Sequence, residues 1–246
     1  MSNGRMVLST SLLIAYENRE KYQKKYKKLM QKLSLPYLTN HKQLVEAKAQ
    51  GLEIVDYERL LSQLANRDDA TYDIEQLATL SSYKVILTDD ENPQLPFVNY
   101  KKGLIDKTVS VHLKPEDDRS SLLKYLQLIC SNATKIIVCD NYLASNWDNT
   151  KALFLSVLPR QNLIIEYVET PDDIQAIKNS QKITPQFISG IYQHWIVQEN
   201  TEYAGYHDRY LKIYSPESNI EVMLSSGFDH LWKNNPKEIT CVFREI

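Results

Sequence analysis

The sequence predicts an α/β fold, a mixed sheet flanked by helices, behind a mainly helical N-terminal segment. Three observations carry this. The largely apolar runs Lys135–Cys139 and Leu163–Val168 have the length of fully buried strands, Lys135 and Glu166 apart. Helical patterns over residues 120–131 and 146–157 alternate with them, as layered α/β architectures require. Near the C-terminus the period changes to two. His207, Arg209, Leu211 and Ile213 alternate with Asp208, Tyr210, Lys212 and Tyr214, residues 215–219 have turn composition, and residues 220–224 alternate again. That pattern predicts a β-hairpin.

Taken in order, residues 1–15 fit a strand or the start of a helix. Residues 16–33 predict a helix, with Tyr22, Tyr26, Leu29, Met30 and Leu33 on one side and Lys21, Lys24, Lys25, Lys27, Lys28 and Lys32 on the other. The lysine face is either a solvated surface, the commoner case, or a contact for a phosphate backbone or a membrane surface. Further helices are predicted over residues 40–50, closed by Gly51, and over residues 56–64 and 74–80, with a polar link at 66–73 between the last two. A buried strand is expected at residues 83–87. It ends at Thr88-Asp89-Asp90-Glu91-Asn92-Pro93, an acidic run that suits a polar turn better than a metal site. The composition shift near residues 66–82 places a domain boundary between 82 and 83.

Residues 97–113 are β-rich, and Pro115-Glu116-Asp117-Asp118 has the composition of a helix start. A helix is predicted at 171–180, residues 184–191 are ambiguous, and a strand over 192–198 leads into the hairpin. After it, Ser225-Ser226-Gly227 opens a turn before Phe228 and Leu231.

Composition narrows the function. The chain has 246 residues, an ordinary 43% apolar content and a net charge of −2, so its surface as a whole is not built to bind duplex DNA. Its three cysteines form no C-x-x-C pair, which argues against zinc and for a reducing, cytoplasmic setting. Residues 6–15 lack a cleavage-site pattern, and no run approaches a membrane span. Sixteen tyrosines against six glycines fit either a partner surface or, more simply, an AT-rich coding bias.

The layout of residues 205–231 resembles the phospholipase D superfamily, whose members carry HxKxxxxD on one strand, then a hairpin, then a Gly-Ser-x-Asn-like turn. Here His207 takes the His position, Arg209 the Lys position, Ser225-Ser226 the Gly-Ser position and Asp229 the Asn position. Tyr214 stands where the family has Asp. The His-Asp-Arg form followed by Gly-Phe-Asp is similar to a divergent branch: the C-terminal domain of eukaryotic MIT-domain proteins, which binds membrane phosphoinositides, and related bacterial proteins, some linked to phage defence. The resemblance spans residues 83–246 and is sharpest in the last third.

It implies a metal-independent phosphodiesterase or nuclease without cofactor. His207 would attack phosphorus, Arg209, Ser225 and Ser226 would hold the phosphoryl oxygens, and Asp229 or Asp140 would orient the nucleophile, because Asp208 faces the other side of its strand. Tyr142 stands beside Asp140 in sequence and is a supporting candidate. The chemistry needs two imidazoles, so either His230 serves or a homodimer pairs two copies of His207. The alternatives are a non-catalytic module for an anionic lipid head group, a nucleotide or a nucleic acid, and a protein that docks a partner through its N-terminal helices.

Overall fold

A computed structural model describes residues 4–32, 36–102, 104–105, 108–168, 183–200, 206 and 208–246. It is a mixed α/β structure with sheets flanked by helices. The chain divides into two compact units, residues 1–109 and 110–246. The division therefore falls well after the expected boundary at 82/83.

The first unit is not a plain helical segment. Strands β1 (Met6–Leu8), β2 (Tyr37–Leu38), β3 (Ile86–Thr88) and β4 (Phe97–Asn99) form a parallel sheet in the order β2-β1-β3-β4. The strand expected at 83–87 thus belongs here, beside β1, and not to the following domain. Helices α1 (Thr10–Glu17) and α2 (Gln23–Lys32) replace the single helix expected over 16–33. The interruption has a cause. The side chain of Asn18 donates to the carbonyl of Gly51 and accepts from the amide of Glu53, both at 2.9 Å, which fixes the chain where α1 ends.

Helices α3 (His41–Ala49), α4 (Tyr57–Ala65) and α5 (Ile74–Thr79) follow the predicted segments closely. Asn40 caps α3, accepting from the Gln43 amide, and Gln43 in turn donates to the carbonyl of Leu8 at 2.6 Å, tying α3 to the end of β1. Asp73 and Gln76 form a capping box at α5. Gly51, just past α3, has φ +98°, a left-handed conformation that glycine adopts without penalty. Val7, Leu77, Ala78 and Ile86 pack together as a core cluster.

Strand β5 (Leu104–Ile105) pairs antiparallel with the start of β6 (Thr108–Leu113). In the second unit the sheet continues from β6 in the order β6-β12-β11-β10-β7-β8-β9. Its strands are β7 (Lys135–Cys139), β8 (Leu163–Val168), β9 (Trp195–Asn200), β10 (Arg209–Tyr214), β11 (Asn219–Leu224) and β12 (Ile239–Glu245). β7, β8 and β9 run parallel, whereas β10, β11 and β12 pair antiparallel. The sheet is mixed, as expected. Strand β12 has no counterpart among the predicted elements.

Helix α6 (Ser120–Cys130) buries Leu122, Tyr125, Leu126 and Ile129, with Tyr125 edge-on to Phe243 of β12. Helix α7 (Trp147–Ala152) runs on as a π-helical turn, Leu153–Val157. A short helix, Pro185–Ser189, settles part of the ambiguous segment; the helix expected at 171–180 lies outside the described residues. On β10, Leu211 and Ile213 are buried while Lys212 alternates to the other face. There Lys212 and Arg244 both pair with the buried carboxylate of Glu221 in strand register. Cys130, Cys139 and Cys241 are all buried thiols.

Candidate functional site

The site forms where β7 and β11 end and the antiparallel β10 between them begins. Pairing sets β10 against both β7 and β11, with Tyr210 opposite Cys139 and Arg209 opposite Leu224. Asp140, the first residue after β7, therefore meets Arg209, the first residue of β10. The turn after Leu224 brings Gly227, Phe228 and Asp229 to the same edge. Crevices at the carboxyl ends of strands are where open α/β sheets place their ligands.

Asp140 has no exposed side-chain surface, and its Oδ1 lies 3.7 Å from Nε of Arg209. The same carboxylate accepts from the amide of Tyr142 at 2.9 Å and from that of Phe228 at 3.4 Å. Burial pushes its pKa upward; the two amides and Arg209 oppose that, and neighbouring Asp229 adds to it. The guanidinium of Arg209 also stacks over the ring of Tyr142, 5.2 Å from the centroid. Tyr142 is 44% exposed, so this stack borders solvent. One guanidinium is thus oriented by a carboxylate at its edge and an aromatic ring at its face. Asn141 anchors the approach to β10 by donating to the carbonyl of Tyr206 at 2.7 Å.

The turn residues divide by role. Gly227 adopts φ −60° and ψ 150°, open to any residue, so its need is spatial: a Cβ there would overlap Oδ1 of Asp229 and lie 3.8 Å from Oδ2 of Asp140. Asp229 is buried and pairs with Lys233, one helical turn on. Ser226 is half-buried and makes no hydrogen bond among the described residues. Ser225 is turned to other work: its hydroxyl accepts from the amide of Thr240 on β12 at 2.9 Å.

His230 is likewise engaged. Its Nδ1 accepts from the amide of Lys237 at 3.1 Å, and its Nε2 lies 4.0 Å from Oδ2 of Asp229. An imidazole accepting at Nδ1 is neutral and carries its proton at Nε2. Burial lowers its pKa, Asp229 opposes, and Lys233, Lys237 and Arg119 lower it further.

The structure therefore brings together Asp140, Tyr142, Arg209 and the Gly227–Asp229 turn, with Ser226 beside them. It places Ser225 on β12 and gives His230 to the loop that precedes β12, so neither side chain joins Arg209 as the sequence suggested. His207, the expected nucleophile, lies outside the described residues. Tyr214 sits at the other end of β10, opposite Lys135 and Asn219.

Two contributors were missed. Lys233 had a legible signal, its i, i+4 spacing from Asp229. Arg119 had none. Its buried guanidinium donates to the carbonyls of Lys114, Pro115, Asp117, His230 and Lys237, binding the segment before α6 to both ends of the 230–237 loop. Among the described residues, no three His, Cys, Asp or Glu side chains are grouped as a metal site, and no helix is long and apolar enough to cross a membrane.

No protein-family model matches the chain, and a search of curated proteins finds no significant match.

Proposed function

We propose that the second unit binds a phosphodiester or phosphomonoester group through Arg209, in a domain of phospholipase D-like type. The observation that carries this is the mounting of Arg209 between the buried carboxylate of Asp140 and the ring of Tyr142, at the solvent edge of the sheet. A guanidinium oriented in this way loses little freedom when it takes up two phosphoryl oxygens. Ser226 supplies a hydroxyl in the neighbouring turn with its hydrogen-bonding capacity unspent among the described residues.

Turnover is the second reading, favoured by His207 standing two residues before Arg209 in the period-two pattern of the sequence. His207 would attack phosphorus and Arg209 would meet the charge that builds on the phosphoryl oxygens. With His230 committed to the Lys237 amide, the second imidazole comes from His207 of another copy, so turnover and homodimerisation go together. A cytoplasmic antiviral effector role, acting on nucleic acid or on a lipid head group, accompanies this reading on the strength of the resemblance alone. Docking of a partner protein through the helices of the first unit is a third reading, which no observation here favours.

Titration of the chain with bis(p-nitrophenyl) phosphate in EDTA tests both. Binding that disappears in Arg209→Ala, without release of nitrophenol, supports the binding module. Nitrophenol release abolished by His207→Ala, together with a dimer in analytical ultracentrifugation, supports the enzyme. The absence of both binding and release would overturn the proposal.

A further inference from the structure

The first unit carries a second concave site that the Arg209 reading does not use. Its strand order, β2-β1-β3-β4, reverses between β1 and β3: the chain leaves β1 to one side for β2 and returns to the other side for β3. In open parallel sheets such a switch point opens a crevice at the carboxyl ends of the strands, and ligands bind there. Here the residues after β1 are Ser9 and Ser11, at the start of α1, and the residue after β3 is Asp89. The hydroxyl of Ser11 donates to Asp89 Oδ1 at 2.7 Å, and Lys25 of α2 pairs with Asp89 Oδ2 at 2.6 Å. Burial pushes the Asp89 carboxyl upward, but these bonds and the Lys25 charge outweigh it and hold the group below its ordinary value.

A groove of about 600 Å³ opens beside this pair, lined by Lys24, Lys25, Lys27, Lys28 and Lys101 with Asp89 as its single carboxylate. Lys25 is neutralised by Asp89. Lys24, Lys27, Lys28 and Lys101 make no ion pair among the described residues. This differs from an ordinary solvated helix face, where Glu and Lys alternate at i, i+4 and relieve each other. Helix α2 reads Gln-Lys-Lys-Tyr-Lys-Lys-Leu-Met-Gln-Lys, with no acidic residue at all. Lys24 and Lys28 repel at i, i+4, and Lys101 adds to the same field from beyond β4. Such a concentration of ammonium groups around a cavity of small-molecule size is unfavourable until an anion enters.

We propose that this groove binds the phosphate chain of a small polyphosphorylated ligand, a nucleoside polyphosphate or an inorganic polyphosphate. Several separate ammonium point charges suit an extended phosphate chain, whereas the single forked guanidinium at Arg209 suits one phosphoryl group. The volume lies within the range of small-ligand pockets, about 300–1,000 Å³. The occupant is therefore a small ligand rather than a duplex lying across the surface.

Calorimetric titration of the full chain with ATP, tripolyphosphate, adenosine and a short DNA duplex, all in EDTA, tests this. ATP and tripolyphosphate should bind and adenosine should not. Tighter binding of ATP than of tripolyphosphate identifies a nucleotide, and equal binding identifies the bare chain. The exposed double variant Lys24→Ala/Lys28→Ala should weaken binding by about tenfold or more, the loss of two charge-assisted contacts. Asp89→Asn should tighten it, because it removes the groove's carboxylate and releases Lys25. In an Arg209→Ala background the same lysine-dependent binding should persist, which separates this site from the one in the second unit. The proposal falls if neither anion binds, if the lysine variant binds as well as the parent, if Arg209→Ala is the variant that loses binding, or if the chain takes up duplex DNA but not ATP.

Discussion

Nε of Arg209 lies 3.7 Å from Oδ1 of Asp140, a carboxylate whose side chain has no exposed surface. The pair is an orienting contact: Asp140 spends its hydrogen bonds on the amides of Tyr142 and Phe228 and holds Arg209 by charge. Replacing the fork by a point charge should therefore cost more than charge alone. Arg209→Lys is expected to weaken binding of bis(p-nitrophenyl) phosphate, and Arg209→Ala to weaken it further, by about 1.5–3 kcal/mol for a lost charged hydrogen bond. Calorimetry on the three proteins measures this, and equal affinities would exclude Arg209 from contact with the ligand.

Gly227→Ala tests the crowding of the turn. Its φ and ψ suit alanine, so any loss comes from the overlap of the new Cβ with the Asp229 carboxylate. Overpacking of this kind costs about 1–3 kcal/mol. Urea unfolding should show a lower midpoint with an unchanged slope, and an unchanged midpoint would mean that Asp229 has room to move.

His230 makes stability depend on pH in a defined direction. Burial keeps the folded imidazole neutral, whereas the unfolded one takes up a proton near pH 6.5. Below that value the unfolded state binds more protons, so stability rises as pH increases through this window and falls on acidification. In His230→Asn the amide oxygen can still accept from the Lys237 amide, but nothing titrates. The difference in unfolding free energy between about pH 5.5 and about pH 7.5 should therefore be smaller in the variant than in the parent. An identical difference would place the acid sensitivity elsewhere.

Arg119 separates architecture from ligand chemistry. A lysine in its place cannot reach carbonyls at Lys114, Pro115, Asp117, His230 and Lys237 together. Arg119→Lys should destabilise the second unit on the order of 3 kcal/mol, from charged hydrogen bonds left unmade, and should leave phosphate affinity in the folded protein unchanged. Loss of affinity with no loss of stability would reverse that assignment.

Much of the second unit was legible in the sequence, because its strands are long enough to show a period. β7 and β8 are mostly apolar, interrupted only by Lys135 and Glu166, and the alternation of Leu211 and Ile213 with Lys212 gave the hairpin and therefore the place of Arg209 beside the Ser226–Asp229 turn. β12 was missed although Ile239, Cys241 and Phe243 alternate and are buried; the polar stretch from Lys233 to Glu238 before it obscured a new element. The first unit was less legible for a physical reason. Its strands are two or three residues long, too short for any period, and its sheet rests on parallel pairing between segments far apart in the chain. The same limit hid the boundary, since nothing local to residues 83–99 tells which sheet they join. The contacts that Ser225 and His230 make with Thr240 and Lys237 were not legible, because those partners come from a region without a predicted element.

The buried cysteines give the molecule an internal clock. Cys130 closes α6, Cys139 closes β7, and Cys241 lies on β12, where burial pushes its thiol up to about 12. Alkylating reagents attack only exposed thiolate, so labelling of any of the three must wait for a structural opening. All three belong to residues 110–246. The pace of iodoacetamide incorporation therefore follows the breathing of the unit that holds Arg209 and is blind to that of the lysine-lined one. Slower labelling would report a ligand that grips the former, without any engineered probe.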